Sequence, residues 1–318
     1  MSDYAHTTVL LREAVDALAI NVDGIYIDGT YGRGGHSCLL LERLSTRGRL
    51  LALDRDPLAV IHAREQHAGD NRFEIVQSNF AAMRDVACER GYLGKVNGIL
   101  LDLGVSSPQL DDAARGFSFT YDGPLDMRMN PQAGISAADW VNHSSIEEMT
   151  LVFREYGEER YAKRIATAIA NARVAAPFER TLQLAEVVSA ANPAWEKHKH
   201  PATRIFQAIR IRVNEELNEL QHVLKDTLPL LAGGGRVAVI AFHSLEDRIV
   251  KQFMRAESRG IVLPRNVPVQ GLPEGQTMKL VGKSIKPSDA EVSENSRSRS
   301  AIMRVAEKLD TRAMAGML

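Results

Sequence analysis

The chain has 318 residues, 45% hydrophobic and 25% charged, with a formal net charge of −1. That is the composition of an ordinary globular protein with a sizeable core; it excludes attachment to nucleic acid by gross charge, though not a local basic surface. Its two cysteines, Cys38 and Cys88, form no C-x-x-C, which argues against a disulfide framework or a zinc ribbon.

Met1-Ser2-Asp3 opens no signal peptide and no apolar run reaches spanning length, so the cytoplasm is the expected compartment. His6 to Ile20 carries apolar residues at helical spacing and is expected to form a leading helix. Strand patterns follow near 24–28, 49–54, 73–78 and 97–104, separated by helix-length segments, the signature of a parallel sheet with crossover helices. From about Asp111 to Asn214 no buried strand is evident. Residues 111–135 read as loop, and helical stretches follow. Ser144 or Ser145 can cap the first, Tyr161, Ile165 and Ile169 share one face of the next, and Thr181 can cap a third. One long amphipathic helix is expected from Pro201 to the Gly233-Gly234-Gly235 breaker; it could pack within the chain or across a homodimer. A strand resumes in GRVAVIAFHS, and Ser244-x-x-Asp247 is expected to open another helix as a capping box. A Pro- and Gly-rich loop covers 263–275, ahead of last strands in QTMKLVG and SAIMRVAEK. The expected fold is α/β: a Rossmann-like sheet domain in two parts, 1–110 and 215–318, interrupted by a helical insertion at 111–214.

The segment Ile27–Ser37, IDGTYGRGGHS, joins a strand to a helix. Its glycines allow positive φ and close approach to a ligand, beside the free N–H groups of a helix start. Gly32-x-Gly34-x-x-Ser37 falls one residue short of the dinucleotide fingerprint, and Asp54 lies where a ribose-binding carboxylate belongs in a dehydrogenase or a methyltransferase. Asp28 separates the two. An anion there opposes a pyrophosphate at the helix N-terminus, whereas S-adenosylmethionine carries a sulfonium and an ammonium. Asp28, Asp54, Asp102 and His243 all end expected strands and should line one rim, where Phe80 could cover an adenine.

Beyond Asp102, the segment Ser106-Ser107-Pro108-Gln109 resembles the S/D-P-P-Y loop that orients an exocyclic amine in amino-methyltransferases. Gln109 stands in place of the stacking aromatic, leaving Phe117, Phe119 or Tyr121 to stack a flipped base. His198-Lys-His200 has no partner at metal-ligand spacing, and no metal is expected. Three basic groups fit phosphate contacts to RNA: Arg204, Arg210 and Arg212; Arg248, Lys251, Arg255 and Arg259; and Arg297, Arg299 and Arg304.

HTTVLLREAV, DGTYGRGGHS, DRDPLAV, ILLDLGVSSPQLDDAARGFSF, DGPLDMRM, YGEERYAKRIA, HPATRIFQAIRIRVNEEL, FHSLEDRIVKQFM and NSRSRSAIMRVAEK together resemble the bacterial ribosomal RNA small subunit methyltransferase H (MraW-type) family over nearly the whole chain. The resemblance implies S-adenosylmethionine-dependent N4-methylation of one cytidine in the decoding centre of 16S rRNA, with the small ribosomal subunit as partner. It also implies a methyltransferase domain interrupted by a helical domain. Carried onto matching positions, it implies cofactor contacts at Gly34, Gly35, His36, Asp54, Phe80, Asp102 and Gln109; Asp28 and Gly32 join them from the turn. Asp102, Ser106, Ser107 and Pro108 are expected to orient the amine. A nicotinamide-dependent oxidoreductase and a non-catalytic RNA-binding assembly factor are the competing readings.

Overall fold

Apolar runs that are buried on both sides make the central strands of this protein. In Arg49–Asp54 every residue from Leu50 to Leu53 is buried. Such a strand is stable only in the middle of a sheet with both faces covered. The computed structural model describes residues 8–194, 200–260 and 275–310; His198 and positions 263–274 of the Pro- and Gly-rich loop lie outside them. The chain forms two compact units, Met1–Gly104 with Asn218–Leu318, and Val105–Leu217.

The first part of unit 1 alternates strictly: α1 (Leu11–Ala17), β1 (Ile25–Asp28), α2 (Gly35–Arg43), β2 (Arg49–Asp54), α3 (Pro57–Gln66), β3 (Phe73–Gln77), α4 (Met83–Glu89) and β4 (Val96–Asp102). Unit 2 contains α5 (Ser107–Asp111), α6 (Ala137–His143), α7 (Ile146–Glu155), α8 (Ala162–Ala175), α9 (Thr181–Ala191) and α10 (Ala202–Asn214). The chain then runs through α11 (Glu216–Leu230), β5 (Leu231–Ala241), α12 (Ser244–Arg259), β6 (Met278–Leu280), α13 (Asp289–Glu294) and β7 (Ile302–Lys308). Among the described residues, no helix is long and apolar enough to cross a membrane.

The strands form one Rossmann-like sheet in the order β3-β2-β1-β4-β5-β7-β6. The first five are parallel to their neighbours, and β7 is antiparallel to both β5 and β6. Alternate residues face opposite cores. Ile27, Leu51, Leu53, Ile99, Leu101, Val237 and Val239 pack on one face; Tyr26, Leu50, Leu100, Ala238 and Ile240 pack on the other. The strand order reverses between β1 and β4, because the chain steps outward to β2 and β3 and then returns. Ligands of open parallel sheets bind beyond the carboxyl ends at such a point.

Unit 2 has its own core, with Met127, Phe153, Ile165, Ile169, Leu184, Ile205 and Ile209 at its centre. Among its described residues the only bridge of strand type is the isolated pair Pro124–Arg180.

Several local expectations are corrected. The single long helix after Pro201 is two helices, because Glu215 adopts a left-handed φ of 52° between α10 and α11. β5 begins at Leu231, ahead of the three glycines. Between the pairs Val96–Leu231 and Gly98–Arg236, β5 advances further than β4, and the glycines take up the excess as a bulge. Ser145 caps α7 by accepting from Glu148 N as expected. Thr181 does not cap α9: it lies inside the helix, and its hydroxyl accepts from Gly123 N at 3.1 Å. The α12 capping box sits one residue early, between His243 and Glu246. α6, with a box between Ser136 and Asp139, has no counterpart among the expected helices.

Candidate functional site

The turn after β1 is built around two carboxylates. Asp28 ends β1, level with Ala52 of β2 and Leu100 of β4. Its Oδ1 accepts from Thr30 N at 3.1 Å and its Oδ2 from Ser37 Oγ at 2.7 Å, which ties the strand end to the first turn of α2. It is 1% exposed. Asp54, ending β2, accepts from Gly32 N at 2.7 Å and from Asp56 N at 2.8 Å. Gly32 and Gly34 take φ of 56° and 80°, where L-residues with a side chain are strained. A Cβ on Gly34 would stand 2.3 Å from the Tyr31 hydroxyl, and one on Gly35 1.9 Å from Thr8 Oγ1. Both positions therefore require glycine for space as well as, at Gly34, for conformation.

Asp102 ends β4 on the other side of β1. Its N–H donates to Thr30 Oγ1 at 2.6 Å, and its Oδ2 lies 3.8 Å from Nδ1 of His36, a buried residue in the first turn of α2. Asp102 Oδ1 is buried with no hydrogen-bond partner, an acceptor left open at the rim. Phe80 begins a short 3-10 turn after β3 and lies beside Gly29. On the β5 side, Glu246 Oε2 accepts from Phe242 N and His243 N, and His243 Nε2 lies 3.1 Å from Glu246 Oε1.

Three carboxylates on the adjacent strands β2, β1 and β4 thus share one rim, and each is shifted toward its neutral form. Burial raises Asp28, against hydrogen bonds from Ser37 and Thr30. Burial, with the charges of Asp56 and Asp28, pushes Asp54 up to about 6 despite the N–H groups of Asp56 and Gly32. Burial, then the charges of Asp28 and Glu246, holds Asp102 well above the usual carboxylate range. Like charges held this close favour a cationic ligand among them.

The rim therefore gathers Asp28, Gly32, Gly34, Gly35, His36, Asp54, Phe80 and Asp102. The other expected residues belong to unit 2. Ser106 and Gln109 form the capping box of α5, with Ser106 N donating to Gln109 Oε1 at 3.0 Å, and Gln109 is 6% exposed. Of the three candidate stacking aromatics, Phe117 is in the unit 2 core and Phe119 packs on Phe206 and His200; Tyr121 is 69% exposed. The sequence reading misses Thr30 and Glu246. Thr30 sits in plain view in the glycine turn, but its partner Asp102 N is remote in sequence. Glu246 was masked by the expected box at Ser244.

The basic groups also sort themselves. Arg210 makes a two-bond pair with Glu216 at 2.8 Å, Arg212 pairs with Glu215 and Glu148, and Arg204 donates to the Glu158 carbonyl. These bonds help to hold unit 2 together. Arg304 is likewise paired with Asp247 at 2.6 Å.

The MraW methylase family model matches residues 3–309 of the chain. The chain belongs to the MraW methylase family. Solved structures to which the chain is similar include one from Clostridium thermocellum described as an rRNA-methylase, 10% identical over 95% of this chain and 99% of its own, with a TM-score of 0.46. An rRNA methylase from Streptococcus thermophilus is 11% identical over 96% and 100%, with a TM-score of 0.41. TrmN from Thermus thermophilus is 12% identical over 94% of this chain and 48% of its own, with a TM-score of 0.42.

The MraW family takes its methyl group from S-adenosylmethionine. The rim of this methylase fits that molecule. Its open acceptor at Asp102 and its raised carboxylates suit a ligand bearing a sulfonium and an ammonium.

Proposed function

We propose that this methylase transfers the methyl group of S-adenosylmethionine to the exocyclic N4 of one cytidine in the decoding centre of 16S rRNA, acting on the small ribosomal subunit or its RNA. The observation that carries the donor half is the trio of carboxylates, Asp54, Asp28 and Asp102, on adjacent strands around a glycine turn. The same trio disfavours a nicotinamide dinucleotide, whose pyrophosphate would meet Asp28 at the start of α2. The acceptor half is supported by the resemblance of LDLGVSSPQ and its flanking motifs to the 16S rRNA cytosine-N4 methyltransferases.

When bound, the donor supplies an electrophilic methyl group on a positively charged sulfur. Asp54 accepts from the ribose hydroxyls with the lone pairs that Gly32 and Asp56 leave. Gly32, Gly34, Gly35 and His36 let the ligand lie against the turn, Phe80 offers an apolar face to the adenine, and Gln109 completes the set. Asp28 joins this set from the turn, which it fixes through Thr30 and Ser37, and adds to the field at the donor.

An exocyclic cytosine amine is a poor nucleophile, because its lone pair is delocalised into the ring. A side chain that accepts one N–H hydrogen bond orients the group and takes the proton released when the new C–N bond forms. Asp102 Oδ1 has that open acceptor, and its raised proton affinity makes it a stronger base than an ordinary carboxylate. Ser106, Ser107 and Pro108 orient the amine from the start of α5, and Tyr121 is the exposed aromatic for stacking a flipped base.

The test uses small subunits from a strain lacking this gene, incubated with methyl-labelled donor and digested to nucleosides. One labelled N4-methylcytidine per 16S rRNA is expected. Absence of label on cytidine in both subunits and naked 16S rRNA would refute the proposal.

A further inference from the structure

α12 separates its charges by face. Leu245, Val250 and Met254 are buried against the sheet of unit 1, whereas Ser244, Arg248, Gln252, Arg255, Ala256 and Arg259 are exposed. Arg248, Gln252, Arg255 and Arg259 follow one another at steps of four, three and four residues, so they lie on one stripe.

The acids of α12 are all engaged elsewhere. Glu246 is buried and closes the capping box with His243. Asp247 takes both guanidinium bonds of Arg304, and Glu257 accepts from the Thr277 hydroxyl. Arg255 and Arg259 take no ion pair among the described residues. A surface helix ordinarily offsets its cations with acids one turn away, and like charges at that spacing repel. Around Arg255 and Arg259 such acids are absent among the described residues, so this part of the stripe is complementary to a polyanion.

Its placement names the polyanion. The helix is capped by His243, two residues past the end of β5, and β5 pairs Ile240 with Asp102. The stripe therefore begins beside the rim that holds Asp102 and leads away from it within the same unit. From Arg248 to Arg259 it rises ~16 Å, the axial length of about five nucleotides on one strand of a duplex.

We propose that the exposed face of α12, with Arg255 and Arg259 as its principal contacts and Arg248 nearest the rim, docks the sugar–phosphate backbone of the RNA substrate. This rests on the reading of the protein as an RNA methyltransferase. It adds a surface that sets how strongly the RNA is held and in which direction the strand leaves the reacting base.

The experiment uses the full chain, a 16S rRNA transcript and filter binding over a range of KCl concentrations. Arg255→Gln/Arg259→Gln should weaken RNA binding at least tenfold at physiological salt. It should also make the plot of log affinity against log salt shallower by about 1.4–1.8, since each of the two lost phosphate contacts removes ~0.7–0.9 from the slope. Calorimetric affinity for S-adenosylmethionine should not change, and both side chains are exposed, so melting should not either. Arg255→Lys/Arg259→Lys should keep the wild-type slope. Wild-type affinity and slope in the glutamine pair, or a collapsed slope in the lysine pair, would overturn the docking surface alone. Failure of the wild-type protein to bind both the transcript and small ribosomal subunits would overturn the RNA reading beneath it as well.

Discussion

Asp54 does two jobs that substitution cannot separate cleanly. It terminates β2 as an acceptor facing the ligand, and it also holds Gly32 N at 2.7 Å, so Asp54→Ala loosens the glycine turn together with any ribose contact. Its titration is a cleaner handle. With its pKa raised to about 6 from the usual carboxylate value near 4, the folded unliganded protein keeps a proton that the unfolded chain has lost. The resulting contribution to stability is complete below pH ~4 and disappears as pH rises through about 6. A ligand that donates hydroxyl bonds favours the ionised form, so donor binding should release protons near pH 6 and tighten as pH rises through that value. Calorimetry at pH 6 in buffers of different ionisation enthalpy measures this directly; enthalpies independent of buffer would contradict it. Asp102→Asn should lower single-turnover methyl transfer by ~100-fold or more, the usual worth of a positioned base, and should abolish the rise of rate with pH. A variant that retained the wild-type pH profile would remove Asp102 from the proton path. These aspartates are legible in the sequence because each stands where an apolar run stops. Thr30 and Glu246 are not, because their roles depend on partners brought near by the sheet and by a cap one residue out of the expected place.

At the scale of elements, the break between α10 and α11 is the least legible feature. The residues from Ile205 to Leu224 keep a helical apolar spacing, and Glu215 is a good helix former, so local propensity argues for continuity. The structure overrides it through Asn214. Its Oδ1 accepts from Met129 N at 2.8 Å, while its Nδ2 donates to the carbonyls of Met127, itself at φ 59°, and Arg210. The break also lets Arg210 reach Glu216, six residues on, which would lie on another face of an unbroken helix. Asn214→Ala should destabilise unit 2 by roughly 2–4 kcal/mol in urea titrations, because it strands buried backbone groups. Glu215→Gly should be neutral or stabilising by up to ~1 kcal/mol, since relief of the left-handed backbone offsets the loss of its surface ion pair with Arg212. A loss of more than 1 kcal/mol in the glycine variant would mean that Glu215 does something besides turn the chain. The central parallel strands, by contrast, are legible, because burial on both faces leaves an uninterrupted apolar signature.

At the scale of the molecule, the helical unit is one continuous stretch, 105–217, with a core of its own, whereas the sheet unit is assembled from both sides of it. The fragment 105–217 expressed alone should therefore give a helical circular-dichroism spectrum and a cooperative melt. A featureless melt would show that its core depends on the rest of the chain. The order β5-β7-β6 cannot be read from the sequence, because nothing local records which strand the last apolar runs will choose.

That order has a consequence in time. β5 gains its second neighbour only when β7, about sixty residues further on, has been made. At ~5–20 residues per second the nascent chain waits ~3–12 s with the backbone edge of β5 bare. A bare edge beside Val237 and Val239 is a template for pairing with the wrong chain. The flank of the sheet beyond Asp102 is thus the last to close, and a ribosome making this protein holds an unsealed catalyst until its final strands emerge.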